Sequence, residues 1–355
     1  MASASLTGPP RVIQVFLEDG GGGPSHARIL GRAIAGKVGN LEVPIDPRSL
    51  RRPRGWMDTT LQIVRLASRD SIVHAHGVRV AAAVLPAVLW RRARLVITVH
   101  GLHAIRRNPS PVTRLIVRSV LRKADLVLAY GLSDTRTILQ QNLAAPSRVR
   151  RIHPVFESPP IGDRAEARRR LGLPGEAVVC LWLGRLSQEK DPVAFVRAFQ
   201  EIPQGNIVGL IVGDGPLRDE MQGEMRLAGL ESRVKWLGRL NDPGPAIAAA
   251  DIFVSTSRWE AFLSQAGLES GSAGLALLLS DVPGNRDFVE EGGSAILVPA
   301  GAPGPLAEAI RQLAADPERL RENGALASGL INEAYTPEHL GSDVLAAYRE
   351  VGSGA

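Results

Sequence analysis

Short, mostly apolar runs recur along the 355-residue chain, and each ends in a polar residue or glycine before a helical pattern begins. Runs of this length between turn residues are typical of buried strands, and their alternation with helices predicts parallel sheets. The sequence therefore predicts an α/β fold with doubly wound parallel sheets. The runs are 12–17, 71–74, 95–99, 125–128, 149–152, 177–183, 207–212, 234–237, 252–254 and 275–279.

The stretch 251–299 contains the densest group of candidate ligand-binding residues. Glu260 and Glu269 lie between two of the predicted strands, and Pro283-Gly284-Asn285 forms a turn after the second strand. In an open α/β sheet, ligands bind at the carboxyl ends of the strands. We therefore expect a ligand site on these loops.

Charge is distributed unevenly along the chain. Residues 1–157 contain 24 Lys and Arg against 9 Asp and Glu, whereas the remainder contains 18 against 27. This asymmetry indicates that the N-terminal half contacts an anionic partner. The half lacks the interleaved aromatic residues of a single-strand nucleic-acid platform, so a phospholipid surface or lipid-phosphate acceptor fits better. A generally arginine-rich proteome is the alternative explanation.

Several protein classes are disfavoured by what the sequence lacks. Cys180 is the single cysteine and lies in an apolar run, which predicts a buried thiol, no disulfide within the chain and no cysteine-based zinc site. The first residues have no apolar core of signal-peptide length, and the longest apolar run, 80–90, is too short to span a membrane. We expect a cytoplasmic protein.

The motifs of the C-terminal half resemble those of the retaining glycosyltransferases of family 4. Glu269, Gly274, Ser280-Asp281, Gly284 and Leu297-Val298-Pro299 follow the family signature without a gap. Residues 184–190 (GRLSQEK) and 213–216 (GDGP) resemble two further family motifs. Before Glu269 the chain departs from the pattern, because Glu260 lies nine residues upstream where the family has eight, and Ala261 and Leu263 replace two glycines.

The resemblance implies the GT-B fold, in which two Rossmann-like domains face each other across a cleft. We expect an acceptor-side domain over 1–157, a linker over 158–175 rich in Pro, Gly and Arg, and a donor-binding domain over 176–336. Residues 337–355 are expected to form a helix that crosses back to the first domain.

Two candidate sites lie in the N-terminal half. The glycine run 20–23 follows the first predicted strand, and such loops bring backbone N–H groups to a phosphate at a helix N-terminus. The resemblance places Gly21, Gly22 and Gly23 at the donor pyrophosphate. It also places His100, which follows the strand 95–99, near the transferred sugar; the alternative is a histidine bonded to a loop backbone. His76 and His103 are left open, and His74 is expected to be structural.

On the donor side, Arg185 and Lys190 place two cations on one loop, which suits binding of phosphate oxygens. Ordinary surface cations are the alternative. The resemblance implies that Glu269 binds the ribose hydroxyls and that Glu260, with His100, contacts the sugar. The other residues assigned to nucleotide binding are Gly184, Gly213, Asp214, Gly238 and Gly284, although Asp214 also fits a helix cap.

Residues 111–123 (PVTRLIVRSVLRK) predict a basic amphipathic helix. Arg114, Arg118 and Arg122 form a basic stripe, and Leu115, Ile116, Val120 and Leu121 supply its apolar side. Such a helix suits an anionic membrane surface. An ordinary surface helix with solvated arginines is the alternative.

The resemblance thus implies a retaining glycosyltransferase with a UDP- or GDP-linked sugar as donor. A lipid-linked glycan is the expected acceptor, and a soluble acceptor stays open. The resemblance implies that no metal or other cofactor is needed, and no Asp-x-Asp motif follows a predicted strand to indicate otherwise. The alternatives are a nucleotide-binding scaffold that has lost catalysis and a nucleotide-sugar epimerase, since some epimerases share this architecture.

Overall fold

The computed structural model describes residues 11–18, 22–102 and 110–352. The chain divides into unit 1, Met1–Phe156 with Tyr335–Ala355, and unit 2, Glu157–Ala334. Each unit contains a six-stranded sheet, and all neighbouring strands pair in parallel. The predicted α/β class and doubly wound parallel sheets are confirmed.

Unit 1 has the sheet order β2-β1-β3-β4-β5-β6. Its elements up to residue 152 are β1 Arg11–Leu17, α1 Gly22–Ala33, β2 Gly39–Ile45, α2 Pro53–Leu66, β3 Ser71–His76, α3 Val78–Arg91, β4 Arg94–Val99, α4 Pro111–Lys123, β5 Leu126–Tyr130, α5 Gly131–Gln140 and β6 Val149–Ile152. Short 3-10 turns occupy Ser49–Arg51 and Pro146–Arg148.

Unit 2 has the sheet order β12-β11-β10-β7-β8-β9. Its elements are α6 Arg164–Leu171, β7 Val178–Leu183, α7 Pro192–Glu201, β8 Ile207–Val212, α8 Arg218–Leu227, β9 Val234–Trp236, α9 Gly244–Ala249, β10 Ile252–Ser255, α10 Gln265–Ser272, β11 Ala276–Ser280, α11 Pro283–Glu290, β12 Ile296–Val298, α12 Pro303–Ala315 and α13 Pro317–Ala334. The last helix, α14 Pro337–Gly352, groups with unit 1.

The sheet of unit 1 carries two distinct helix layers. Buried residues of α2, α3, α4 and α5, such as Ile63 and Val117, form one core cluster with the sheet. Residues of α1 and α14, such as Leu30 and Val344, form the cluster on the other face. No helix within the described residues is both long enough and apolar enough to span a bilayer.

Two elements of unit 1 are absent from the sequence prediction, namely β2 and α2. Strand β2 lies at the sheet edge, where Glu42 and Pro44 are exposed. A proline is tolerated on an edge strand because it need not donate to the ladder. Helix α2 buries only Gly55, Thr59 and Ile63, so its apolar periodicity is weak.

The predicted linker 158–175 is corrected by the structure, because it contains α6. Arg168 on this helix is buried and forms an ion pair with Asp251 at 2.7 Å, and its Nε donates to the Ala249 carbonyl at 3.0 Å. Asp251 also accepts a hydrogen bond from the Val179 N–H at 2.8 Å. These bonds fix α6 to the sheet of unit 2, so the segment is part of that unit.

Candidate active site

Three glycines, Gly184, Gly213 and Gly238, lie just after the carboxyl ends of β7, β8 and β9. The Gly184 N–H donates to the Val212 carbonyl at 3.0 Å, and the Gly213 N–H donates to the Gly238 carbonyl at 2.8 Å. Gly213 has a φ of 143°, and a Cβ at this position would overlap the Gly184 carbonyl. Because no side chain fits at Gly213, the three loops form a shelf of backbone at this edge of the sheet.

Asp214 stabilises the turn beside this shelf. Its carbonyl accepts a hydrogen bond from the Leu186 N–H at 3.0 Å, and its Oδ1 accepts one from the Gly215 N–H at 2.8 Å. Helix α8 begins at Arg218, with Leu217 at the N-cap. Asp214 therefore does not cap this helix, which corrects that alternative interpretation.

Lys190 and Glu260 form an ion pair above the strand ends. The Lys190 Nζ lies 2.5 Å from the Glu260 Oε1, which also accepts a hydrogen bond from the Ser257 hydroxyl at 2.7 Å. The Glu260 side chain is 9% exposed and that of Lys190 is 23% exposed. A carboxylate buried to this degree requires a paired cation and hydrogen bonds, and both are present.

The loop that contains Glu260 is closely packed against backbone. A Cβ on Gly284, in the first turn of α11, would lie 2.5–2.6 Å from backbone atoms of Glu260, Ala261 and Phe262. The Ser280 hydroxyl donates to the Ser257 carbonyl at 2.5 Å, which ties the same loop to β11. The loop is thus held from two sides.

Sequence reasoning missed a second ion pair on this loop, between Arg258 and Asp191. The Arg258 Nη2 lies 2.8 Å from the Asp191 Oδ2, and the Arg258 N–H donates to the Glu189 carbonyl at 2.8 Å. Asp191 is the N-cap of α7 and accepts a hydrogen bond from the Ala194 N–H at 3.3 Å. The Asp-Pro pair at 191–192 is a helix-start signal that could have indicated this cap.

Arg185 follows β7 and its side chain is exposed. In the part of the chain that the structure describes, no carboxylate lies within ion-pair distance of its guanidinium. An unpaired, solvated guanidinium at the strand ends is suited to a bidentate contact with an anion. The structure thus places Arg185 on the same loop as Lys190.

Glu269 lies in α10, a short helix capped by the Ser264 side chain, which accepts from the Gly267 N–H at 3.1 Å. Burial raises the pKa of Glu269 to about 7, and a hydrogen bond from Gln265 opposes that rise. Near neutral pH this carboxyl group therefore gains or loses its proton in response to small changes in its surroundings. Binding of ligand hydroxyls by the carboxylate would favour its ionised form.

The raised pKa of Glu269 predicts a pH-dependent gain in stability for Glu269→Gln. The folded protein holds this proton up to pH of about 7, whereas the unfolded chain releases it near 4.5. The free energy of unfolding of the wild type therefore falls as pH rises between these values. At pH 8 the variant should unfold with a free energy about 1–3 kcal/mol higher. The gain should vanish near pH 4, and urea unfolding of the surface control Glu231→Gln should show none at either pH.

The remaining candidates lie in unit 1. His100 follows β4, and the position of a Cβ on Gly23 lies 4.0 Å from the His100 Cδ2. Helix α1 begins at Gly22, before the predicted start at His26, so Gly22 and Gly23 belong to its first turn. Gly20, Gly21 and His103 lie outside the described residues.

His74 is fully buried between two hydroxyl partners. Its Nδ1 lies 2.7 Å from the Tyr348 hydroxyl on α14, and its Nε2 lies 2.7 Å from the Thr98 hydroxyl. Burial lowers the pKa of His74 to about 3. Both nitrogens are used in holding α14 to the sheet, so the geometry is that of a structural residue.

The two six-stranded parallel sheets, with glycine loops and paired charges at the strand ends, agree with the GT-B fold that the motifs predict. The family profile described as Glycosyl transferases group 1 matches residues 163–327, and that described as Glycosyltransferase Family 4 matches residues 13–157. The chain belongs to these family 4, group 1 glycosyltransferases.

Individual relatives agree with this assignment. The chain is 30% identical over 267 residues to the D-inositol 3-phosphate glycosyltransferase of Thermobispora bispora, with 68% of this chain and 60% of that protein covered. It is 28% identical to the alpha-D-kanosaminyltransferase of Streptomyces kanamyceticus, with 79% and 77% covered. Thus the chain spans less than two thirds of the first relative's length.

Solved structures show the same fold. HepE of Anabaena in complex with UDP superposes with a TM-score of 0.81 at 19% identity, covering 96% of this chain and all of HepE. Sucrose-phosphate synthase of Thermosynechococcus elongatus gives a TM-score of 0.82 at 19% identity, with 97% and 100% covered.

Proposed function

We propose that the protein transfers a sugar from a nucleotide-diphospho sugar to an acceptor with retention of anomeric configuration. The observation that carries the proposal is the Lys190–Glu260 pair at the strand ends of unit 2, in which Lys190 comes from the loop that also presents Arg185. A buried carboxylate, a cation and a second, unpaired cation suit a substrate that has hydroxyl groups and a diphosphate.

Departure of the nucleoside diphosphate requires neutralisation of the charge that develops on its oxygens. Arg185 would bind these oxygens through two N–H groups, and Lys190 would supply a point charge. The resemblance also assigns Gly21, Gly22 and Gly23 to diphosphate binding through backbone N–H donors. We propose that these groups act without a metal ion, so turnover should persist in EDTA.

Recognition of the donor would divide between two carboxylates. Glu269 would accept hydrogen bonds from the ribose hydroxyls, and the glycine shelf at 184, 213 and 238 would allow the nucleotide to approach the backbone. Glu260 would orient the sugar, and the resemblance assigns His100 to the same sugar. Because the Glu260 Oε1 is already bound by Lys190 and Ser257, we assign Glu260 to orientation and not to nucleophilic attack.

UDP is the nucleotide that the comparisons favour, because HepE was solved with UDP and with UDP-glucose. A lipid-linked glycan is our proposed acceptor. D-inositol 3-phosphate and 2-deoxystreptamine, which appear in the names of two relatives, are the soluble competitors.

Product analysis tests this function. The protein is incubated with UDP-glucose, with and without candidate acceptors, and the products are followed by proton NMR. Acceptor-dependent release of UDP with an α-linked product would support retaining transfer. Conversion of the donor to an epimer without acceptor would support the epimerase alternative, and binding without turnover would support the scaffold alternative.

The helix layer formed by α2, α3, α4 and α5 has an unusual outer surface. It carries all eight of the large hydrophobic residues that are exposed in the described part of unit 1, including Trp90 (78% exposed), Val112 (66%) and Leu115 (64%). Leu115 and Ile116 point outward, which corrects the prediction that they form the packed side of the 111–123 helix. Val117, Val120 and Leu121 occupy that side.

Charge on this layer favours an anionic partner. The four helices contain nine Lys or Arg and two Asp, of which Asp134 is fully buried. Helices α1 and α14, on the other face, contain three basic and three acidic residues. Exposed apolar side chains on helices that are also rich in arginine match the interface of an anionic bilayer. We therefore propose that this layer docks on anionic lipid, which would bring the enzyme to a lipid-linked acceptor.

Vesicle flotation tests the docking surface. The wild type should float with phosphatidylglycerol vesicles, and less at high salt or with phosphatidylcholine alone. Leu115→Ser with Ile116→Ser should abolish flotation, whereas Leu227→Ser with Leu326→Ser, at exposed positions of unit 2, should not. Absence of flotation, or equal flotation of both variants, would contradict the proposal.

A further inference from the structure

Two loop segments, 187–191 after β7 and 255–260 at the end of β10, are joined to each other at the strand ends of unit 2. The ladder between β7 and β10 has Leu181 and Phe253 as its last pair. Beyond this pair, the two segments are connected by hydrogen bonds from side chains and from one loop N–H. These bonds hold the backbone of Lys190, the candidate cation at the diphosphate.

The Thr256 hydroxyl makes the first connection. It lies 2.8 Å from the Lys190 carbonyl oxygen and 2.7 Å from the Asp191 carbonyl oxygen. It also accepts a hydrogen bond from the Trp182 Nε1 at 2.8 Å, because an indole N–H only donates. The hydroxyl therefore shares its own hydrogen between the two carbonyl groups. Thr256 is 4% exposed and Trp182 is 2% exposed, so these bonds are shielded from water.

Arg258 makes the second connection. Its backbone N–H donates to the Glu189 carbonyl at 2.8 Å, and its Nε donates to the Asp191 Oδ2 at 3.0 Å. Asp191 has a φ of 49°, in the left-handed region that residues other than glycine rarely adopt. The bonds from Arg258 to its carboxylate and from Thr256 to its carbonyl hold Asp191 in this conformation.

The segment 255–260 also holds the other end of the Lys190 side chain. The Glu260 Oε1 accepts a hydrogen bond from the Lys190 Nζ at 2.5 Å and another from the Ser257 hydroxyl at 2.7 Å. Lys190 is thus bound at its carbonyl through Thr256 and at its ammonium through Glu260. A lysine has a long and flexible stem, so its ammonium has a defined position only when both ends are held.

We propose that Thr256, with Arg258 as a second anchor, is a positioning residue that holds the backbone of residues 190–191 and so fixes the Lys190 ammonium beside Glu260. The inference rests on the proposed function, in which Lys190 stabilises the departing diphosphate. A charge that is already in place lowers the barrier because it does not have to reorient during the reaction. Loss of the Thr256 hydroxyl should therefore slow transfer although it removes no charge.

The ammonium can be followed without a substrate, because the chain contains only four lysines, namely Lys37, Lys123, Lys190 and Lys235. In protein labelled with nitrogen-15 at lysine, proton–nitrogen NMR detects ammonium groups whose hydrogens exchange slowly, and Lys190→Met identifies the Lys190 signal. Thr256→Val keeps the shape of the side chain but removes the hydroxyl, so it should shift this signal or broaden it beyond detection. Thr256→Ser keeps the hydroxyl and should restore the wild-type signal.

Two controls separate this effect from general damage. The Lys235 Nζ donates to two backbone carbonyls elsewhere in unit 2, and its signal should stay unchanged in every variant. Thr59 is also 4% exposed, and its hydroxyl donates to the Gly55 carbonyl at 2.9 Å. Thr59→Val should therefore lower stability as Thr256→Val does, without changing the Lys190 signal.

A second variant tests the same anchor through a more exposed side chain. Arg258→Met removes the bonds to the Asp191 carboxylate, and 63% of the Arg258 side chain is exposed. This variant should therefore fold even if Thr256→Val does not. It should change the Lys190 signal in the same direction and by a smaller amount, because the Thr256 bonds are kept.

Activity tests whether the effect of Thr256 passes through Lys190. For UDP release from UDP-glucose, Thr256→Val should lower kcat by about 10- to 10²-fold and leave KM nearly unchanged. In the Lys190→Met background, the same substitution should lower kcat further by less than about twofold. Thr256→Ser should keep a rate close to that of the wild type.

An unchanged Lys190 signal in both Thr256→Val and Arg258→Met would overturn the proposal. Equal losses of kcat from Thr256→Val in the wild-type and Lys190→Met backgrounds, or failure of Thr256→Ser to restore the signal, would overturn it as well, because a merely structural role predicts both. If the signal responds as expected while UDP release does not depend on Lys190, the positioning stands and the proposed role of Lys190 in transfer fails.

Discussion

Lys190→Ala is expected to lower the rate of donor turnover by about 10²- to 10³-fold, because a charge that stabilises the departing diphosphate is removed. The same change leaves Glu260 buried without its cation, next to Ser257 alone. Since the lysine is partly exposed, we expect the free energy of unfolding to fall by about 2–3 kcal/mol. Release of nucleoside diphosphate and urea unfolding measure the two effects.

A double variant separates catalysis from stability. Lys190→Met with Glu260→Gln removes both charges, and the glutamine oxygen still accepts from the Ser257 hydroxyl. Most of the lost stability should return, because no unpaired buried charge is left, while turnover should stay low. Recovery of turnover in the double variant, or a wild-type rate in Lys190→Ala, would show that the pair is structural only.

Gly284→Ala should displace the Glu260 loop without touching any charged group. The added Cβ would come within 2.6 Å of the Glu260 carbonyl and of its neighbours' backbone atoms, so the loop or the first turn of α11 must move. A shift of about 1 Å at a positioned group costs on the order of 10²-fold in rate. We also expect a stability loss of about 1–3 kcal/mol.

Gly223→Ala is the matched control for this substitution. Gly223 lies within α8, and an added Cβ meets nothing within 4 Å. Alanine should therefore stabilise the helix slightly and leave turnover unchanged. Equal behaviour of the two variants would mean that the position of the Glu260 loop does not matter for transfer.

The order of elements could largely be predicted from the sequence. Parallel strands that are buried on both faces require nearly continuous apolar runs. The strands β1, β4, β7 and β8 have such runs and could therefore be predicted. Strand β2 could not be predicted in this way. An edge strand does not need a continuous apolar run, and not every N–H of it has to donate a hydrogen bond to a neighbouring strand. Helix α6 was hidden because Arg168 and its neighbours are charged, and its anchor, Asp251, lies far along the chain.

The candidate site could be predicted only as a set of residues. Motif resemblance suggested Lys190 and Glu260 separately, but their contact joins loops seventy residues apart. No local pattern encodes that distance, nor the Asp191–Arg258 pair beside it. The contacts of His76 with Gln14 and His100 could not be predicted either, because these three residues come from different strands or strand ends. The sequence motifs identify candidate residues, but contacts between residues far apart in the chain are known only from the folded structure.

The most direct test of the central claim is the thermal unfolding midpoint with UDP, GDP and ADP and their glucose conjugates, in EDTA. A ligand at a hundred times its dissociation constant should raise the free energy of unfolding by about 2.7 kcal/mol. We predict that UDP and UDP-glucose raise the midpoint of the wild type and that Glu269→Ala loses most of this rise. If none of these nucleotides changes the midpoint, or if the variant responds fully, the donor site proposed in unit 2 is contradicted.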